Sequence, residues 1–285
     1  MSDIQSQISS IQSQLESAYP PDEAKALAWW ILEETTGLSR SQLLSGCKIT
    51  KNISNLQIII SRLLNFEPIQ YIFGHTLWSG LDLLVTPATL IPRPETAELV
   101  ERINEKMVNE KMIKCLDVGT GSGCIAIALK KRHPEWSVTA IDISPEAIEV
   151  ARENAIRNNV EINFQVADIF NLQSPISNLQ FDLVVSNPPY VRESEKNSMK
   201  SNVLDHEPAS ALFVPDSDPL RFYRRIAELF VQRPMTNDQR QRDLFFEINE
   251  NLSVETEHLL HSLGYSDVQT FADIYSKPRF IHAIL

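Results

Sequence analysis

Positive charge is scarce in this chain of 285 residues: 26 Lys and Arg stand against 37 Asp and Glu, for a formal net charge of −11. That deficit argues against broad attraction to nucleic acid phosphates, so no direct nucleic acid partner is expected. Long apolar runs are also missing, which excludes a bilayer-spanning segment. Before Lys25 there is neither a Lys nor an Arg, and no continuous apolar stretch, so no secretory signal or Arg-rich presequence is expected. Cysteine is sparse. Cys47, Cys115 and Cys124 are odd in number and lack metal-ligand spacing, and Cys115 and Cys124 sit in apolar surroundings that suit a small buried hydrophobe. The histidines are scattered. His258 and His261 share a possible helix face, but no Cys or carboxylate partners complete a metal cluster there. The expectation is a reduced, cytoplasmic protein without membrane or metal, and a monomer.

What is present is ample apolar content, 43% of the chain, enough for a substantial core in one large domain with a smaller companion. Ile4, Ile8, Ile11 and Leu15 recur at three- and four-residue steps, as do Ala24, Leu27, Ala28, Ile31 and Leu32 within Pro21 to Thr36. Ser39 to Leu44 and Ser54 to Leu64 repeat the pattern behind a Ser cap. Residues 1–68 thus read as a small all-α domain. Aromatic and β-branched residues around Gly74 and Ser79-Gly80 then predict a β-hairpin linker over residues 69–86.

Over residues 87–285, strand-length apolar runs (113–118, 137–142, 162–166, 181–186, 243–248) alternate with helical stretches (123–132, 145–158, 219–232, 252–263). That alternation implies a mostly parallel sheet covered by helices. Val268 to Ala272 and Arg279 to Ile284 have almost nothing between them, which predicts a terminal antiparallel strand. The polar stretch Arg233 to Asp243 reads as an exposed loop, and no repeat or low-complexity segment is evident.

Chemistry concentrates at the strand ends. Gly119, Thr120, Gly121, Ser122 and Gly123 join a strand's carboxyl end to a helix amino end, where open α/β sheets bind nucleotides. Glycines there let the chain turn tightly and let a ligand lie against bare backbone. Asp142 ends the next strand, placed to accept both ribose hydroxyl hydrogens, and Asp168 ends the strand after, an acceptor suited to an adenine amino group. Carboxylates also cap helices after strands, but in series behind a glycine loop they indicate an adenosine-containing ligand. The G-x-G-x-G spacing differs from the dinucleotide fingerprint.

Asn187-Pro188-Pro189-Tyr190 leaves a further strand at the same edge. Two prolines remove two backbone donors, so the turn is rich in acceptors. The Asn187 side-chain oxygen and the Pro188 carbonyl can hold both hydrogens of a planar NH₂ group while Tyr190 stacks on its plane. A rigid strand-exit turn is the plainer reading, and the neighbouring loop and acids weigh against it.

Taken together, Asp117 to Gly123 and Asn187 to Tyr190 resemble the class I, Rossmann-like methyltransferases that modify amino groups. Phe73-Gly74, Trp78, Leu90-Ile91-Pro92-Arg93-Pro94-Glu95-Thr96 and Glu207-Pro208-Ala209-Ser210-Ala211-Leu212 narrow the likeness, over nearly the whole chain, to the PrmC/HemK family of release factor glutamine N5-methyltransferases. The resemblance implies S-adenosylmethionine as donor and the Gly-Gly-Gln glutamine of a class 1 peptide-chain release factor as acceptor. By position, Gly119 to Gly123 would line the methionine portion, Asp142 the ribose, and Asp168 with Ile169 the adenine. Asn187, Pro188, Pro189 and Tyr190 would grip the glutamine amide, with Asn187 also at the cofactor. Ile169 replaces an aromatic common there, Glu247-Ile248-Asn249 replaces a Glu-x-Gly pattern, and residues 213–220 and 233–243 are poor in glycine.

Two rival readings stand beside it. Methylation of an adenine or guanine amino group in nucleic acid would need a flipped base and a cationic channel. A non-catalytic protein that keeps the crevice for sensing would have little use for the Asn187 turn.

Overall fold

The computed structural model describes residues 2–45, 55–171, 180–231 and 241–285. Cys47 and most of the stretch from Arg233 to Asp243 lie outside them. In chain order the elements begin with α1 (Ser2–Leu15), α2 (Pro21–Thr36), α3 (Arg40–Leu44), α4 (Leu56–Leu64) and α5 (Ile69–Phe73). Next come β1 (His75–Trp78), β2 (Leu81–Leu84), α6 (Pro94–Lys106), β3 (Lys114–Val118), α7 (Cys124–Arg132), β4 (Ser137–Asp142), α8 (Pro145–Arg157) and β5 (Asn163–Val166). The rest are β6 (Leu183–Ser186), β7 (Val191–Arg192), α9 (Ser201–Leu204), β8 (Phe213–Val214), α10 (Arg221–Val231), β9 (Asp243–Glu247), α11 (Ser253–Ser262), β10 (Ser266–Ala272) and β11 (Pro278–Ile284). They form two compact units, Met1–Gly74 with Lys200–His206, and His75–Met199 with Glu207–Leu285.

In the helical unit, the four periodic residues of α1 are all buried and pack with Ala28, Ile31 and Leu32 of α2 and Ile59, Ile60 and Leu63 of α4. Ser39 caps α3 in a capping box with Gln42. Arg62 grips Glu67 with two prongs, at 2.7 and 2.5 Å. The segment Lys200–His206 is held here through Lys200 Nζ, 3.8 Å from Glu23, and His206 Nε2, 2.9 Å from the Asn65 carbonyl oxygen. One stretch differs from the sequence expectation: residues 69–73 were expected in the hairpin but form α5. Pro68 presets φ at −57° just ahead of that helix, and Gly74 ends it in the left-handed region at φ 77°.

The hairpin itself spans β1 and β2, with Trp78 opposite Leu81. Its two-residue turn has positive φ at both Ser79 (48°) and Gly80 (76°), the geometry that matches the right-handed twist of paired strands. Beyond it lies a seven-stranded sheet in the order β10-β11-β9-β6-β3-β4-β5. Strands β9, β6, β3, β4 and β5 pair in parallel, while β11 runs antiparallel to both β9 and β10. The expected terminal antiparallel strand is therefore β11, inserted between β9 and β10.

Alternate strand residues serve two cores. Cys115, Val138, Leu183, Val185 and Phe245 face α6, α7 and α8 through Leu99, Ile103, Ile127 and Ile148. Leu116, Ile141, Val184 and Phe246 face the other way, onto Tyr223, Ile226 and Phe230 of α10 and Leu260 of α11. With both faces covered, the parallel strands read as continuous apolar runs.

Asn154 of α8, fully buried, ties the hairpin and the glycine loop to that core. Its Oδ1 accepts from the Leu84 N–H at 2.6 Å, and its Nδ2 donates to the carbonyl oxygens of Leu84 and Ser122, each at 2.9 Å. Asn154→Ala would strand these groups without partners, so the unfolding free energy should drop by about 2–4 kcal/mol in urea titrations. A loss under about 1 kcal/mol would mean water replaces the side chain at no cost.

Candidate active site

The strand order reverses at β3, with β4 on one side and β6 on the other, and ligands of open α/β sheets bind at the carboxyl edge of such a reversal. A cavity of about 520 Å³ opens there, lined by Gly119, Thr120, Gly121 and Ser122 from the loop after β3. Asp142 at the end of β4 and Asp168 and Ile169 after β5 add to its wall, as do Asn187, Pro188 and Pro189 after β6. Gly123 and Tyr190, also singled out from sequence, do not line it.

Gly123 works from behind. It starts α7 at φ 83°, and a Cβ there would sit 3.1 Å from both Ala151 Cβ and Ile127 Cδ1, so the loop lies flat against α8 only as glycine. Gly119 and Gly121 also have positive φ, at 72° and 54°, and a Cβ on either would meet no protein atom within 4 Å. Their N–H groups are used: Gly119 donates to the Ile141 carbonyl at 2.9 Å, and Gly121 to Asp142 Oδ2 at 2.9 Å. The other Asp142 oxygen accepts from the Ser144 N–H at 3.0 Å. Burial pushes the Asp142 carboxyl above the usual carboxylate range, and the Ser144, Gly121 and Ile143 N–H groups pull it partly back.

Asp168 opens a short 3₁₀ turn and accepts from the Phe170 N–H at 2.8 Å. Ile169 is buried in the cavity wall, and the neighbouring Phe170 lines it as well. Phe170 meets Phe222 edge to face at 5.3 Å, with the Arg221 guanidinium 4.6 Å from the Phe170 ring centre. An aromatic wall is therefore present one residue beyond the position read from sequence. Phe170 and Phe222 were missed because their meeting joins the turn after β5 to α10.

The Asn187 turn is braced at both ends. Ser186 Oγ donates to the Val118 carbonyl at 2.6 Å, clamping the ends of β6 and β3 together. Asn187 Nδ2 donates to Thr96 Oγ1 at 3.2 Å, and the Thr96 hydroxyl to Glu247 Oε2 at 2.7 Å. Tyr190 turns away from the cavity and donates its hydroxyl to Glu247 Oε1 at 3.1 Å; burial and the Glu247 charge raise its phenol. Asn249, in place of a glycine, donates to the Tyr190 carbonyl at 3.1 Å and so props the turn. Thr96 and Glu247 were not read as site residues, since 151 positions separate them.

The run Leu90 to Thr96 forms another wall. Glu207, buried, accepts from the Ile91 N–H at 3.1 Å and from Arg93 Nη2 at 2.6 Å, while Trp78 Nε1 donates to the Arg93 carbonyl at 2.7 Å. The two segments of resemblance are thus partners. Chemically, the edge offers a glycine loop, the Asp142 carboxylate and the Asn187 side-chain amide followed by two prolines. Among the described residues no group of His, Cys, Asp and Glu can hold a metal, and no helix is long and apolar enough to cross a membrane.

Comparison with known proteins gives the family. The PrmC N-terminal domain family matches residues 8–74, and the methyltransferase small domain family matches residues 95–212. A release factor glutamine methyltransferase of Bacteroides thetaiotaomicron is 43% identical over 280 residues, spanning 96% of this chain and 97% of that protein. One from Flavobacterium psychrophilum is 45% identical over 94% of each chain. A solved T. thermophilus 16S rRNA methyltransferase in complex with AdoMet and guanosine aligns with TM-score 0.52 at 15% identity, over 73% of this chain and 49% of that one. The last likeness is one of fold alone.

At the base of the loop, burial pushes the Asp117 carboxyl up to about 7, against the Thr120 hydroxyl at 2.6 Å and the Ala126 N–H, and the Asp142 charge adds to the rise. A carboxyl raised in this way contributes stability that is complete below its unfolded value of 3.8 and is lost as pH climbs through about 7. Asp117→Asn stays neutral and should remove that part of the slope. Between about pH 5 and about pH 8, urea midpoints should fall further for the wild type than for the variant. Equal falls would show that Asp117 is already ionised at the lower pH.

Proposed function

The chain belongs to the release factor glutamine methyltransferase family, and from that premise we propose that it methylates the side-chain amide nitrogen (N5) of the Gly-Gly-Gln glutamine in a class 1 peptide-chain release factor, with S-adenosylmethionine as donor. The observation that carries this reading is the Asn187 amide in the cavity wall next to Pro188, its nitrogen committed to Thr96 and its oxygen left to accept.

The residues present fit the donor. The cavity lies in the range of small-molecule sites, and Gly119 and Gly121 leave bare backbone on the ligand side. Asp142, which lines the cavity, is paired with no cationic side chain among the described residues, which suits a ligand that carries positive charge. Gly119 to Gly123 would hold the methionine portion, Asp142 the ribose hydroxyls, and Asp168 and Ile169, with Phe170, the adenine.

When bound, S-adenosylmethionine supplies a methyl on cationic sulfur: an N–C bond forms as the S–C bond breaks, a neutral thioether leaves, and the amide gives one N–H proton to water. The protein's part is alignment. Asn187 Oδ1 and the Pro188 carbonyl accept the two hydrogens of the glutamine NH₂, which raises electron density on a nitrogen whose lone pair is otherwise delocalised into the carbonyl. Pro188 and Pro189 keep the turn rigid, and Tyr190, through Glu247, fixes where it ends. The helical unit is proposed to read the body of the release factor, because a glycine-rich tip offers few contacts of its own.

Purified release factor incubated with labelled S-adenosylmethionine should take up label, and a copy with the Gly-Gly-Gln glutamine replaced should take up none. Label on nucleic acid instead would move the assignment to a base amino group. Asn187→Ala should cut turnover on the order of 100-fold with cofactor affinity kept, whereas Asp142→Ala should mainly weaken the cofactor. Undiminished turnover by Asn187→Ala would sink the role given to it.

A further inference from the structure

The two ends of the Asn187 side-chain amide are alike in shape, so its neighbours decide which end faces the cavity. Thr96 Oγ1 lies 3.2 Å from the inner end and 2.7 Å from Glu247 Oε2. A hydroxyl has one hydrogen to give, and an ionised carboxylate only accepts. The Thr96 hydrogen therefore goes to Glu247, and the Thr96 oxygen remains as an acceptor. The group facing it has to be a donor, which is Asn187 Nδ2. Burial raises the Glu247 carboxyl, and the Thr96 and Tyr190 hydroxyls and the Arg279 charge pull it back toward its ionised form, with the Tyr190 hydroxyl donating to Oε1 at 3.1 Å. Thr96 and Glu247 are 2% and 1% exposed, which shields both bonds from bulk solvent.

We propose that Thr96, itself held by Glu247, is a positioning residue for methyl transfer, which keeps Asn187 Nδ2 turned inward and Oδ1 turned toward the reacting NH₂ group. Without it the amide is free to flip. A flipped amide would face the substrate N–H with another N–H, and the glutamine nitrogen would be pushed out of line. The proposal rests on the reading of Asn187 given above and adds the device that gives that residue its polarity.

Thr96→Val keeps the shape and removes the hydroxyl, while Thr96→Ser keeps the hydroxyl and removes a methyl. Both are compared with the wild type, Asn187→Ala and the double variant Thr96→Val/Asn187→Ala. The readouts are single-turnover transfer to the release factor, S-adenosylhomocysteine binding by calorimetry, and thermal unfolding. Thr96→Val should slow the transfer step on the order of 10- to 100-fold with cofactor affinity unchanged. Thr96→Ser should recover most of the rate. The double variant should be no slower than Asn187→Ala, because Thr96 acts only through Asn187. Should Thr96→Val not fold, Thr96→Cys, a weak donor of similar size, takes its place. Three results would overturn the proposal: Thr96→Val at the wild-type rate, equal losses for Val and Ser, or a double variant whose loss is the product of the single losses. If Asn187→Ala transfers as fast as the wild type, the reading of Asn187 fails first. If Asn187 matters and Thr96 does not, this proposal fails alone.

Discussion

Everything at the active edge depends on one topological constraint, the reversal of strand order at β3. Right-handed crossovers carry the chain from β3 through β4 to β5 on one side and then back across to β6 and β9 on the other. Each parallel strand therefore ends at the same rim, and the loops after β3, β4, β5 and β6 deliver residues 119, 142, 168 and 187 to one crevice. Ser186 closes that rim at the reversal itself, where its hydroxyl spans from β6 to the last carbonyl of β3.

The rim also holds several carboxylates away from water, and burial is costly unless each one is met by donors. Glu207 is met by the Ile91 N–H and Arg93, Glu247 by two hydroxyls, and Asp142 by main-chain N–H groups. The donors differ in kind, and so do the consequences. Arg93 brings a full charge, and together with the Ile91 N–H it locks the run before α6 to Glu207. The hydroxyls on Glu247 bring polarity without charge, and that polarity can be passed on to Asn187. The main-chain donors on Asp142 leave lone pairs unused on a carboxylate that lines the cavity.

Periodicity made most of the fold legible. The alternation of apolar runs and helical stretches anticipates β3 to β5 and α7 to α8 within a residue or so, because strands covered on both faces read as unbroken apolar segments. The end of the helical unit was less legible. Ile69 to Phe73 is rich in strand-forming residues, yet Pro68 and Gly74 bracket one turn of helix there. The affiliation of Lys200–His206 with the helical unit left no local signal either, since it rests on Glu23 and Asn65, far back in the chain. The same limit applies at the site. Glycines and strand-end acids are local patterns, whereas Thr96 to Glu247 and Phe170 to Phe222 are meetings of distant elements.

The strand-edge chemistry by itself does not choose between acceptors. A glutamine amide and the amino group of a base are both planar NH₂ groups, and an acceptor pair made of Asn187 Oδ1 and a proline carbonyl suits either one. Discrimination has to come from structure that the two classes do not share. The sheet is the shared part, and it is what remains at 15% identity to an rRNA enzyme. The release factor relatives instead match over 96% and 94% of the chain, helical unit included. The likeness to those relatives takes in the helical unit and the Glu207-braced run before α6, so the proposed selectivity would lie in these parts. On the proposed reading the rim supplies the reaction, and structure outside the rim would narrow its acceptors.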